Sequence, residues 1–248
     1  MGTRILVVQF RFDDKPILEQ QPIERVLQND GYEIVFKNAL TSDINLTQPE
    51  KELAGFDAVI LSGSADLYFD GGLATMHRGR VIASRIAEEA RPFARHLIER
   101  NIPTLGICFG HQLLGFSAGA SVGHSPVEGK TGTHVLELTE AGKKDPLMRG
   151  VAERFQAHYG HKDVLFDLPE GAIVLACGGE TCSFSALKYS DNVYSVQFHP
   201  ELSRDEIRTL IKSYPEYVPD ESDIDALFDD AEEAEQVLRN FAALAARG

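Results

Sequence analysis

The sequence has little basic charge and lacks long hydrophobic runs. Twenty-four lysines and arginines stand against 38 aspartates and glutamates, which gives a formal net charge of −14. A charge of this sign repels phosphate backbones and anionic lipid surfaces. No apolar run approaches the roughly 18 residues that are needed to span a membrane. We therefore expect neither a nucleic-acid partner nor a membrane partner.

Cysteine is also scarce. The three cysteines are Cys108, Cys177 and Cys182, an odd and scattered set that fits a reducing compartment better than a disulfide framework. The first residues, MGTRILVVQFRFDDK, contain neither the long apolar segment nor the small-residue cleavage site of a signal peptide. Leu6 stands where a myristoylation signal requires Ser or Thr. These features predict a cytoplasmic protein.

What the sequence does contain is a regular alternation of strand and helix patterns. Short runs rich in β-branched residues occupy 4–10, 32–36, 57–63 and 102–108, and an amphipathic helical pattern covers about 80–100. This order predicts an α/β fold with a doubly wound, mostly parallel central sheet flanked by helices.

The second half of the chain has a different sequence pattern. From about Thr133, strand patterns follow each other closely with turn residues between them, which predicts antiparallel strands in the C-terminal half. We expect one domain over 1–248, with a catalytic core over about 1–213. An acidic amphipathic helix is predicted over about 220–246, whose charged face serves either solubility or the docking of a partner.

The segment Gly106-Ile107-Cys108-Phe109-Gly110 is the cysteine version of the G-x-S-x-G nucleophile elbow. The flanking glycines relieve crowding at a sharp turn from strand to helix. The positive end of the following helix dipole favours a thiolate at its N-terminus. Taken alone, the pattern also fits a small buried residue, so a nucleophilic Cys108 needs a base, an orienting acid and an oxyanion hole.

A candidate base and acid occur together in YSVQFHPE, at 194–201. His199 and Glu201 are separated by one proline, and residues i and i+2 of an extended segment point to the same side. Glu201 can therefore orient the imidazole of His199, and His199 can exchange a proton with Cys108. His111, three residues after the cysteine, is the rival base, although its position on the helix also suits a bracing role.

The oxyanion hole requires backbone N–H groups directed at the reacting carbonyl. One candidate is the N–H of Phe109, directly after the predicted nucleophile. The others are Gly63 and Ser64, in a loop that follows a parallel strand and where glycine permits a close backbone approach. An ordinary strand-ending turn is the alternative for this loop.

The segments GICFGHQLL, QFHPE and ILSGS together resemble the class I, or triad-type, glutamine amidotransferases, in which flavodoxin-like sheets carry a Cys-His-Glu triad. TEAGKKDPLMRG and HKDVLFDLPEGAIVLA are similar to the stand-alone branch related to the amidotransferase domain of GMP synthase. The resemblance runs from the first strand to about Ser213. One departure is the loop Ser62-Gly63-Ser64-Ala65, which reads S-G-G-P in the family.

The resemblance implies that Cys108 attacks the side-chain amide of glutamine, releases ammonia and forms a glutamyl thioester that water hydrolyses. It also implies that His199 and Glu201 complete the triad. Gln112 and His161 match substrate-binding positions, and His161 and Asp163 form an H-x-D motif for which structural roles are equally compatible.

Several functions remain open at this stage. The chain is either an amidotransferase that delivers ammonia to a separate synthetase subunit, or a partner-independent hydrolase of other γ-glutamyl amides or peptides. The pocket for the leaving group would distinguish these two functions. Residues 65–79 are expected to form part of that pocket. A non-catalytic protein that keeps the fold is the third hypothesis. We find no Walker-type glycine loop and no metal-ligand spacing, and expect no cofactor and no metal.

Overall fold

A nine-stranded sheet forms the centre of the computed structural model, which describes residues 2–12, 17–28, 31–179, 182–218 and 223–247. The strand order within these residues is β2-β1-β3-β4-β11-β10-β9-β6-β7, and β5 and β8 form a separate pair. The strands are β1 (Arg4–Gln9), β2 (Glu33–Asn38), β3 (Ala58–Leu61), β4 (Thr104–Ile107), β5 (Val122–His124), β6 (Lys130–Leu138), β7 (Arg154–His161), β8 (Asp163–Leu165), β9 (Ile173–Cys177), β10 (Ala186–Ser190) and β11 (Val193–Val196).

The sheet changes direction at β11. Strands β2, β1, β3, β4 and β11 are parallel neighbours, whereas β10, β9, β6 and β7 continue the sheet through antiparallel pairs. The predicted α/β architecture, with a parallel half and antiparallel strands in the C-terminal half, is therefore confirmed. The four predicted strand patterns of the first half coincide with β1 to β4, with ends that differ by a few residues.

Helices cover both faces of the parallel half. The helices are α1 (Ile17–Leu27), α2 (Pro49–Glu52), α3 (Arg78–Glu99), α4 (Phe109–Ser117), α5 (Arg204–Lys212), α6 (Ile224–Leu227) and α7 (Glu235–Ala245). Apolar residues of α1 and α7 pack on one face of the sheet, and those of α3 and α4 pack on the other. Because β1, β3, β4 and β11 are parallel, the segments that follow them meet at one edge of the sheet.

The predicted continuous helix over about 220–246 is wrong for the described residues 223–247. The chain there forms the short helix α6, an extended residue at Phe228, a 3₁₀ turn over Glu232–Ala234 and then α7. Phe228 is fully buried, and Asp229 N donates to Thr133 Oγ1 at 3.0 Å. Burial of this aromatic ring and repulsion among the neighbouring carboxylates outweigh the helical periodicity. Residues 220–222 of the predicted helix lie outside the described residues.

Candidate active site

Cys108 lies at the sharp turn between β4 and α4. Its backbone has φ 50° and ψ −100°, in the left-handed half of φ that side-chain-bearing residues rarely adopt. The flanking glycines make this turn possible, because a Cβ on Gly106 would lie 2.6 Å from the carbonyl oxygen of Gly110. A Cβ on Gly110 would lie 2.1 Å from that of Leu61. The thiol is therefore held at the N-terminal end of α4, and the residue is only 4% exposed.

His199 and Glu201 follow β11 at the same edge of the sheet. His199 Nδ1 lies 2.7 Å from Glu201 Oε1, and the imidazole is close enough to the Cys108 thiol for that group to raise the pKa of His199. His199 N donates to the carbonyl of His158 at 2.9 Å, which fixes the backbone beside the ring. Cys108, His199 and Glu201 are all buried, with His199 4% exposed and Glu201 2% exposed.

The electrostatic environment of His199 favours its protonated form. Burial disfavours the imidazolium, but the charges of Glu201 and Cys108 and the hydrogen bonds to them outweigh this penalty. They raise the pKa of His199 well above its usual value. Glu201 Oε2 is buried and has no hydrogen-bond partner among the described residues. The site is thus built to hold a charged imidazole beside a sulfur atom.

The loop after β3 closes against this pair. A Cβ on Gly63 would lie 3.0 Å from the imidazole carbon Cε1 of His199 and 3.5 Å from Cβ of Cys108, so glycine fits here and a larger residue would crowd the ring. Ser64 Oγ donates to the carbonyl of Phe10 at 2.7 Å. The backbone N–H groups of Gly63, Ser64 and Phe109 have no acceptor in the described part of the chain. These three backbone donors are therefore free to bind a ligand.

The predicted substrate-binding residues are Gln112 in α4 and His161 at the end of β7. Gln112 Nε2 donates to the carbonyl of Asp163 at 2.8 Å and to Gln197 Oε1 at 3.2 Å, so this amide nitrogen joins α4 to its neighbours. His161 Nδ1 bonds to the carbonyl of Asp163 at 3.0 Å, and its Nε2 is buried without a partner among the described residues. The carboxylate of Asp163 accepts from the N–H groups of Asp70 and Gly71.

The rival base His111 is directed elsewhere. Its Nδ1 lies 2.7 Å from Ser195 Oγ, and the residue is 1% exposed. Burial lowers the pKa of His111 to about 3, which leaves the ring neutral. The bracing role is therefore the one that the contacts of His111 support.

Four further residues border the site, and three of them, Arg11, Glu19 and Tyr217, were not predicted from the sequence. Arg11 and Glu19 form a buried ion pair with a nitrogen to oxygen distance of 3.5 Å, close to Gly63. Tyr68 and Tyr217 stack with ring centroids 5.9 Å apart. The sequence did indicate Arg11, because a polar residue directly after a predicted parallel strand lies at the sheet edge where ligands bind. Tyr68 lies in the segment 65–79 that was expected at the leaving-group pocket, whereas no sequence pattern indicated Tyr217.

Two further searches of the described residues bear on function. No group of three or more His, Cys, Asp or Glu side chains is arranged to hold a metal ion. In the same residues, no helix combines the length and the apolar character that crossing a bilayer requires.

The fold and the site agree with a defined protein family. The model of the class-I glutamine amidotransferase family matches residues 20–212, and the chain belongs to this family. It is therefore an enzyme of the glutamine amidotransferase type. The resemblance predicted from the three sequence motifs is confirmed.

Among curated proteins, the chain is similar to GMP synthases described as glutamine-hydrolyzing. It is 29% identical over 167 residues to one subunit of that enzyme from Methanocaldococcus jannaschii, covering 67% of this chain and 74% of the relative. It is 36% identical over 112 residues to the corresponding subunit from Thermococcus kodakarensis, which covers 45% of this chain and 57% of the relative. The similarity to the enzyme from Thermosipho africanus is 37% over 120 residues and covers 48% of this chain but only 22% of that protein.

Solved structures share the same fold at low sequence identity. A glutamine amidotransferase from Thermotoga maritima superposes with a TM-score of 0.72 at 19% identity, covering all of both chains. A glutamine amidotransferase from Methylobacillus flagellatus gives a TM-score of 0.70 at 16% identity, covering 100% of this chain and 94% of that one. At these identities, the comparison supports the fold and carries no residue role.

Proposed function

We propose that the chain hydrolyses the side-chain amide of glutamine through a cysteine thioester. In this reaction Cys108 is the nucleophile, His199 is the general base and acid, and Glu201 orients and stabilises the imidazolium. The observation that carries the proposal is that Cys108, at a strained turn, and His199, bonded to Glu201 at 2.7 Å, are buried together against Gly63. A strained nucleophile beside an oriented histidine is the usual arrangement for acyl transfer.

The proposed reaction has two halves. The Cys108 sulfur attacks the amide carbon of glutamine, and a tetrahedral intermediate forms. The carbon–nitrogen bond then breaks while His199 gives its proton to the leaving nitrogen, so that ammonia departs and a thioester remains. Water, deprotonated by His199, attacks the thioester carbon and releases glutamate and the thiol.

The negative oxygen of the intermediate needs hydrogen-bond donors. We assign this role to the backbone N–H groups of Gly63 and Phe109, with Ser64 as a third donor in the same loop. Their lack of acceptors among the described residues supports the assignment. One such donor contributes about 2.7–4 kcal/mol to the lowering of a barrier of this kind. The serine that replaces a family glycine does not remove a donor, since the N–H is a backbone group.

Gln112 and His161 are proposed to form the wall that holds the glutamyl part of the substrate. His161 offers its unpartnered Nε2 to a polar group of the substrate. Gln112 acts by holding the segment at Asp163 against α4 through its amide nitrogen.

The ammonia is proposed to pass to a separate synthetase. Two of the similar proteins are named as one subunit of a glutamine-hydrolyzing GMP synthase, which supports a division between two chains. We expect glutamate release from glutamine by the purified chain to be weak and to rise on addition of cell extract. The control is Cys108→Ala protein in the same extract, and equal rates for both proteins would contradict the proposed partner.

The nucleophile is tested by Cys108→Ala. Loss of the sulfur removes the attacking atom, so we expect no glutamate release above background from glutamine or a γ-glutamyl amide. Mass spectrometry of the native enzyme quenched with acid should detect one glutamyl group on Cys108. The matched control is Cys177→Ala in β9, outside the site, which should retain turnover. Undiminished turnover by Cys108→Ala protein of native stability would exclude the triad.

A further inference from the structure

Glu19 is a buried carboxylate that the proposed mechanism does not use. It lies in α1 and is 2% exposed. A Cβ on Gly63 would lie 3.7 Å from Glu19 Oε1. The same position is 3.0 Å from His199 Cε1 and 3.5 Å from Cys108 Cβ. Glu19 therefore meets the proposed nucleophile and the proposed base around one side of Gly63.

The carboxylate of Glu19 is held by donors from the end of β1. Gln9 Nε2 donates to Glu19 Oε2 at 3.1 Å, and Gln20 Nε2 donates to Gln9 Oε1 at 2.8 Å. Arg11 Nη2 lies 3.5 Å from Glu19 Oε1. Burial raises the pKa of Glu19, and the charge of Arg11 opposes this rise. Because Arg11 pairs with it, the carboxylate adds little net charge beside a negatively charged intermediate.

Ser62 holds the two peptide groups that carry proposed oxyanion donors in the loop after β3. Its carbonyl accepts from the N–H of Gly110 at 3.1 Å, and this carbonyl shares a planar peptide group with the N–H of Gly63. Its hydroxyl donates to the carbonyl of Gly63 at 3.2 Å, and that carbonyl shares a peptide group with the N–H of Ser64. The directions of both N–H groups are therefore fixed through Ser62. We call residues 62–64 the oxyanion loop.

The oxyanion loop needs support from outside, because Gly63 has no Cβ and restricts its own backbone less than other residues do. Glu19 supplies a contact at this point, since its Oε1 borders the open side of Gly63. Ser62 is also buried, at 1% exposed. Its hydroxyl is near enough to the Glu19 carboxylate to join Arg11 in opposing the rise that burial causes in the pKa of Glu19. Glu19 is thus in contact with the loop at both residues.

We propose that Glu19 is a positioning residue that holds the oxyanion loop, so that the N–H groups of Gly63 and Ser64 are directed at the carbonyl oxygen under attack. This inference rests on the proposed hydrolysis of glutamine and adds no step to it. Glu19 acts through Ser62 and touches neither the substrate nor the reacting atoms. Its loss should therefore weaken the stabilisation of the transition state while the thiolate and the binding of glutamine stay as they are.

Two variants of the full chain test the inference. Ser62→Ala removes the hydroxyl and keeps the ion pair, whereas Glu19→Gln is combined with Arg11→Met so that no buried charge is left unpaired. We expect kcat for glutamine hydrolysis to fall by about 10-fold in the first and by about 10- to 100-fold in the second, with KM within about two-fold of the native value. A raised KM with a native kcat would place these residues on substrate binding and overturn the inference. The matched controls are Ser117→Ala, another buried serine, and Glu24→Gln on the exposed side of α1, which should keep the native kcat.

Alkylation of Cys108 by iodoacetamide separates a role in the loop from an effect on the thiolate. The rate follows the thiolate population and needs no oxyanion donor, so its pH profile should be native in both variants. A shifted profile would mean that Glu19 acts on the sulfur and its base, which contradicts the proposal. Adding Ser62→Ala to the Glu19 variant should cost little further kcat, because both changes interrupt the same contact. Fully additive losses would show that Glu19 does not act through Ser62.

Hydrogen exchange makes the test independent of the reaction. The N–H of Gly110 is bonded to the carbonyl of Ser62, so a loosened loop should speed exchange at Gly110 by about 10-fold in both variants. The amide of Leu114, further along α4, should exchange at its native rate. If the native protein hydrolyses glutamine no faster than Cys108→Ala protein, the proposed function is wrong, and exchange at Gly110 still decides whether Glu19 holds the loop. Native exchange at Gly110 in both variants would overturn the inference.

Discussion

At the scale of single residues, the backbone conformation of Cys108 determines where its thiol lies. Its positive φ is a conformation that costs of order 1–3 kcal/mol in a residue with a side chain. The cost is tolerated because Gly106 and Gly110 leave room for the turn, and because the thiol emerges between β4 and α4 towards His199. The strain therefore belongs to the geometry that exposes the sulfur to a substrate, while the rest of the residue is buried.

At the same scale, Glu201→Gln tests whether the negative charge of the carboxylate contributes to catalysis. The amide keeps the shape but removes the charge that favours protonated His199, so we expect kcat for glutamine hydrolysis to fall by about 10²- to 10⁴-fold. Steady-state kinetics check this. Glu99→Gln, at the exposed C-terminal end of α3, is the control. A native kcat in Glu201→Gln protein would remove Glu201 from the proposed triad.

At the scale of elements, the site is assembled from the ends of strands. Segments after β1, β3, β4 and β11 meet at the carboxyl edge, and the separate strand pair β5 and β8 contacts α4 beside it. The carboxylate of Asp163 in β8 accepts from Asp70 N at 3.1 Å and Gly71 N at 2.6 Å. One side chain therefore anchors the glycine-rich loop 65–77 that borders the proposed leaving-group side.

Asp163→Asn tests this anchor. The amide keeps one acceptor oxygen where the carboxylate has two, so one of the two loop N–H groups loses its partner. We expect faster amide hydrogen exchange at Asp70 and Gly71 and a KM for glutamine raised several-fold. Asp167→Asn, whose carboxylate accepts from Ser121 N away from this loop, is the matched control. Unchanged exchange in Asp163→Asn protein would show that the loop is held by other contacts.

At the scale of the whole molecule, several histidines are buried in the interior and are neutral. Burial lowers the pKa of His111 and His161 to about 3 and, together with the nearby His199, lowers that of His158 to about 4. Their unfolded pKa is about 6.5, so below that pH the unfolded chain binds protons that the folded protein excludes. His199 has a raised pKa and is protonated in both states below pH 6.5, so it adds no slope there.

We therefore expect the free energy of unfolding to decrease as the pH falls from 6.5 to 5. Each buried histidine contributes up to about 1.4 kcal/mol per pH unit to this decrease. Urea unfolding across this range measures the slope. His111→Asn should flatten it by up to the contribution of one histidine, since Asn can retain the contact with Ser195. His96→Asn in α3 is the control, and an equal flattening in both variants would contradict the assignment to burial.

Much of the fold and of the site could be predicted from local patterns. The strands β1 to β4 and the helix α3 have strong periodicity, and Cys108, His199 and Glu201 stand in short segments whose spacing carries chemical meaning. The C-terminal helix was mispredicted because its periodicity ignores the burial of Phe228, which depends on distant residues. The single-domain organisation over 1–248 stays a prediction.

The sequence by itself determined the class of fold, the nucleophile elbow and the candidate His and Glu partners, because these depend on spacing within a few residues. Only the tertiary structure decided which histidine contacts Cys108 and that Asp163 anchors a distant loop. It alone also placed the buried carboxylate of Glu19 beside Gly63. The physical reason is that burial and pairing arise between strand ends far apart in the chain, and local periodicity does not encode those distances.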